Sequence, residues 1–180
     1  MSTKIELDQG QHEQLPRYLC DRHRTAAAFN PQQACASWIS LIKTGNRAIA
    51  EDNLELANQS FGTAAEIAHS IISSDINYPG RIYAAERLLI ATHNLSVTLA
   101  KQNRHPLAAE LLIRIHRELL VICDDESLRA DTRATALSCL TPSLERIRPF
   151  LERSRNQETA QQLILLTTTA CSRGKTDICH

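Results

Sequence analysis

Apolar residues along this chain recur at three- and four-residue intervals, interrupted at Glu51–Asp52–Asn53, at Gln102–Asn103–Arg104 and at 155–157 by short polar breaks. That period is the signature of amphipathic helices, and the breaks read as turns between antiparallel pairs. The pattern predicts a helix from Leu15 to Phe29, with Pro16 in its opening turn. A second opens at Asn30-Pro31, where asparagine caps free amides and proline has none to orphan, and runs to about Ala50. The next ends near Ser73, before the punctuated stretch SSDINYPG. Further helices are predicted over Arg81–Lys101, Pro106–Cys123, Ser127–Leu151 with an interruption or kink at Thr141-Pro142, and from 157 through Ala170. Residues 1–13 carry no period and read as an N-terminal arm, 14–172 as one domain, and 173–180 as a tail.

The stretch from Trp38 to Ala68 holds the sharpest signal. Small residues stand where two helices would approach (Gly45, Ala48, Ala57, Ala64), and Phe61 is the large residue between them. Gly45, Ala57, Phe61 and Ala64 match the tetratricopeptide repeat in identity and spacing, with Leu41 and Ala48 in place of its aromatics, so this hairpin resembles that family. The segment AERLLIATHNL is also similar to small uncharacterised bacterial proteins of this repeat type. The resemblance implies an all-α, right-handed array of stacked hairpins, since no single hairpin buries its apolar face alone. A compact helical bundle is the alternative. Beyond the second and third breaks the register places Ala108 and Leu112, then Gln161 and Leu165, where Ala57 and Phe61 stand in the first.

The composition supports the same class. With 43% hydrophobic and 4% aromatic residues, the core is built of Leu, Ile and Ala, and five glycines and six prolines in 180 residues leave little material for sheet turns. That length fits one domain. The formal net charge of zero gives no general attraction to nucleic acid or to an anionic membrane. No apolar run reaches the length of a membrane span and the N-terminus lacks the order of a signal peptide, so a cytoplasmic location is expected. Cys35, Cys123 and Cys139 fall in apolar helical stretches and read as small buried hydrophobes. Cys20 with His23 and Cys179 with His180 would suit zinc only if the two termini met, and their spacing is not that of a zinc site, so no metal or other cofactor is expected.

Motifs for catalysis are missing: there is no phosphate-binding glycine loop, nucleophile elbow or zinc-protease helix. One Glu-x-x-His, Glu66 to His69, lacks the second copy and the two extra glutamates that a carboxylate-bridged metal pair needs, and reads as an exposed pair on a helix. The chain is expected not to be an enzyme. In the resembled family the first helix of each hairpin lines a concave groove, and some members hold a peptide's C-terminal carboxylate with asparagine and lysine or arginine. Carried over, this implies Asn46, Asn94 and Arg146, with His93 beside Asn94. Ile42 stands where such a clamp would carry its first lysine, and Ile90 and Val97 make the groove partly apolar, which favours a partner helix over a carboxylate; Ile39, Ile42 and Ile49 either join that groove or are buried under the N-terminal helix.

Three function classes remain open: an adaptor binding another protein or peptide, a small-molecule sensor with convergent polar groups such as His93, Asn94 and His116, and a homodimer or larger homo-oligomer packed through Leu111–Ile122.

Overall fold

The computed structural model describes residues 17–74, 76, 78–154 and 157–177. Among these it is all-α: α1 (Asp21–Phe29), α2 (Pro31–Ala50), α3 (Leu54–Ile72), a 3₁₀ turn (Pro79–Tyr83), α4 (Ala84–Lys101), α5 (His105–Asp124), α6 (Ala130–Ser154) and α7 (Gln157–Asp177). Each helix from α2 onward packs on its successor; α4 also meets α6, and α5 meets α7. No helix among the described residues is long and apolar enough to cross a membrane. The residues assigned to the arm, 1–13, and Cys179 and His180 lie outside the described residues.

The first two hairpins close with the same turn. After α2, the amide of Asn53 donates to the Ala48 carbonyl (2.8 Å) and that of Asp52 to Ile49 (3.2 Å); after α4, Arg104 donates to Leu99 (2.9 Å) and Asn103 to Ala100 (3.0 Å). Both are Schellman turns, which require a left-handed residue just past the helix, and Asp52 (φ 56°) and Asn103 (φ 61°) supply it. Asn53 then caps α3 by accepting the Leu56 amide (3.1 Å).

Within the first hairpin Phe61 is 2% exposed and Ala48, Ala57 and Ala64 are buried around it. A Cβ built on Gly45 would stand 2.5 Å from the Phe61 ring, so only glycine lets the two helices close over that ring. The main core continues through Ile67 and Ile71 of α3, Leu88, Leu95 and Leu99 of α4, and Ile115 and Leu119 of α5. A second cluster joins Leu112, Ile147, Leu151 and Leu163. Arg87 ties α4 to the first hairpin: its guanidinium lies 6.0 Å from the Trp38 ring and donates to the Gly80 carbonyl at 2.8 Å.

Several elements depart from the periodicity. Leu15 and Pro16 lie outside the described residues; α1 begins at Asp21, and residues 17–20 stay out of it because the amides of Tyr18 and Leu19 donate to the Glu66 carboxylate (2.8 and 2.9 Å). Residues 17–20 therefore form an irregular strap across α3. The 3₁₀ turn, fixed by Arg81 N–H to Tyr78 O (2.9 Å), delays α4 to Ala84. At the start of α6, Asp125 accepts the Ser127 amide (3.0 Å) in a side-chain turn and holds the helix back to Ala130. Pro142 and Pro149 lie inside α6 without ending it. Both are exposed, as are Ser138 and Glu145, whose carbonyls lose their partners, so the interruptions fall on the solvent side of the helix.

α7 runs on to Asp177, past Ala170. The register expected for its hairpin is corrected: Leu165 is 68% exposed, and Leu163 (0%), Thr167 and Ala170 form its buried face.

Candidate functional site

Two concavities organise the polar chemistry. The first is a groove of about 740 Å³ where α4, α5 and α6 meet, lined by His93, Val97, Lys101, Leu112, Arg146 and Phe150 among others. It brings together two of the residues expected in a groove, His93 and Arg146. Burial, with the nearby Arg146 charge, lowers the His93 pKa to about 4, so its imidazole is neutral near pH 7. Its Nε2 is buried without a hydrogen-bond partner.

The other expected groove residues lie elsewhere. Ile42 and Ile49 pack against the main core, and Asn46 is exposed on α2. Asn94 is half-buried, and its backbone carbonyl accepts the Thr98 hydroxyl (2.9 Å). Nor does His116 join a pocket with His93 and Asn94. It is fully buried on α5, and its Nε2 meets the Thr167 hydroxyl at 2.9 Å. That hydroxyl donates to the Leu163 carbonyl (2.7 Å), so Nε2 carries the proton and Nδ1 is left bare and unpartnered. Burial lowers its pKa to about 4.

The second concavity was not legible in the sequence. It is a cavity of about 350 Å³ between α3, α4 and α5, with the strap and α1 across it. Gly62 lets the strap approach, since a Cβ there would stand 2.3 Å from the Tyr18 ring. The Tyr18 hydroxyl donates to Asn58 Oδ1 (2.7 Å), and burial pushes its phenol up to about 12. Asn58, Gly62 and Glu66 recur at helical spacing along one face of α3, which makes that face a track for the strap.

His69 is exposed, as expected, but Glu66 is half-buried and the two have separate partners. The Glu66 carboxylate takes the two strap amides and the Arg24 guanidinium (3.0 Å). His69 Nε2 pairs with Glu118 Oε1 on α5 (3.1 Å), and that hydrogen bond raises the His69 pKa. At the cavity wall, Thr92 is fully buried and its hydroxyl has no partner. Arg114, which also lines the cavity, is exposed.

Among the described residues, no group of three or more His, Cys, Asp or Glu side chains is placed to hold a metal ion. Cys20 Sγ and His23 Nδ1 lie 3.1 Å apart at the surface. Cys35 and Cys139 are buried and Cys123 is half-buried, and burial pushes the Cys123 thiol up to about 12 and the Cys139 thiol to about 11, which keeps both protonated near pH 7.

No curated protein and no solved structure matches this chain. A family model described as protein of unknown function DUF2753 matches residues 36–177, a span that holds both concavities apart from Tyr18 and Arg24, and the chain belongs to that family.

Proposed function

We propose that the chain is a non-enzymatic protein-interaction module, a short tetratricopeptide-like array that takes a partner's amphipathic helix in the groove at α4 and α6. The observation that carries this reading is the groove itself. It has Val97 (51% exposed) and Phe150 as apolar anchors, and carries Lys101, Glu145 and Arg146 beside them. A helix with apolar residues at three- and four-residue spacing and an acidic residue opposite Arg146 complements it.

The array reading rests on the paired Schellman turns, on Phe61 seated over Gly45, and on the contacts of α4 with α6 and α5 with α7, which layer one hairpin on the next. A pull-down from lysate of the source organism, with tagged wild type beside a Val97→Glu/Arg146→Glu variant, tests it. A specific protein held by the wild type and lost by the equally stable variant is the expected result. Capture that ignores the substitutions places the interface elsewhere.

One feature favours a second reading, self-association. Val121, Ile164, Leu165 and Leu166 are exposed on α5 and α7. Light scattering across micromolar concentrations checks it, and a strict monomer removes it.

A further inference from the structure

We infer that the cavity between α3, α4 and α5, beneath the strap, is a binding site for a small aliphatic monocarboxylic acid. This goes beyond the partner groove and does not depend on it.

Thr92 is the first sign of a ligand. Helix hydroxyls in this chain satisfy themselves on the carbonyl four residues back: Thr98 on Asn94, Thr135 on Asp131, Thr167 on Leu163 and Ser70 on Glu66, all within 3.0 Å. Thr92 has the same option at Leu88 and does not take it; its hydroxyl is buried, unpartnered, and belongs to a residue lining a cavity. A buried hydroxyl without a partner costs free energy that a polar ligand atom recovers.

The second observation is the charge around the cavity. Arg24 is closed on Glu66, and His69 on Glu118. Arg114 makes no hydrogen bond or ion pair among the described residues. Arg114 is thus the guanidinium on this wall that no carboxylate of the chain already engages, and one such cation near Glu66 and Glu118 suits a monoanion rather than a phosphate dianion. The hairpin turn sets Thr92 and Arg114 the same number of residues before and after Asn103, and so at one level on the antiparallel α4 and α5. A carboxylate at that level takes the guanidinium with one oxygen and the Thr92 hydroxyl with the other.

The remaining wall is apolar, with Leu88 and Leu95 on α4 and Leu111 and Ile115 on α5. It asks for a hydrocarbon body. A cavity of about 350 Å³ falls at the small end of ligand sites. Tyr18 covers one side of it from the strap, and the side of Arg114 and His69 faces solvent.

The test is calorimetric titration of the full chain with hexanoate and octanoate, with octanamide as the uncharged control and octyl phosphate as the dianion. The expected result is one site per chain with Kd below about 1 mM for at least one acid, and at least tenfold weaker binding of the amide and of the phosphate. Arg114→Gln abolishes the preference for acid over amide. Thr92→Val, which keeps the side-chain shape, weakens the acid about fivefold or more while melting no lower than the wild type, because it removes an unsatisfied hydroxyl. Saturable binding of neither acid, binding that both variants leave unchanged, or tighter binding of the phosphate overturns the inference.

Discussion

His116 shows how much one buried side chain sets. Its ordinary value is 6.5 and burial brings it to about 4, so the fold favours the neutral ring. The stability this contributes is complete above pH 6.5 and is lost as the pH falls toward 4, when the unfolded chain takes up the proton first. The full separation corresponds to roughly 3 kcal/mol. Urea midpoints measured between pH 7 and 4 should fall accordingly, and His116→Gln, which retains a donor for Thr167, should flatten that decline. His69 has the opposite sign. Its value is raised by Glu118, so its contribution is present below 6.5 and disappears as the pH rises through its folded value. Phe61→Ala should cost about 3–5 kcal/mol by equilibrium denaturation, the range for emptying a buried aromatic site; a loss under about 1 kcal/mol would mean that the ring is not the centre of its hairpin.

At the scale of elements, the two matched turns carry a penalty that can be removed. Asp52 and Asn103 both sit at positive φ, where glycine is at ease and other residues are strained. Asp52→Gly and Asn103→Gly should each leave stability unchanged or raise it by up to about 1 kcal/mol, and Asp52→Val should lower it.

Helices were legible where a local signal fixes them. Asn30-Pro31 announced α2, and the spacing of Gly45, Ala57, Phe61 and Ala64 announced the first hairpin, because caps and close helix approach demand those residue types. What was not legible depends on contacts distant in sequence. Residues 17–20 have helical spacing but lose their amides to Glu66. α7 turns its Leu163 face inward rather than Leu165, since LILL is apolar on every side and only the position of Ile147 and Leu151 chooses among them. The same reason hid the cavity. Glu66, His69, Thr92, Arg114 and Glu118 stand on three helices, and nothing in their sequence spacing relates one helix to another.

Across the whole molecule, stability should be graded. α1 contributes only Ala27 to the buried set, whereas α3 and α4 are buried along most of their length. Hydrogen exchange should therefore find the amides of α1 opening at much lower free energy than those near Ile71, Leu95 or Leu119, which should exchange only with global unfolding. Equal protection of α1 would show that it belongs to the central cooperative unit.

The strap itself is gripped through its main chain, with Glu66 holding the amides of Tyr18 and Leu19, while the Tyr18 hydroxyl bonds Asn58 and the Leu19 side chain packs on the core. Amides are common to every residue but proline. That hold therefore does not depend on which side chains the strap carries, and any substitution short of proline at 18 and 19 leaves the carboxylate its two donors.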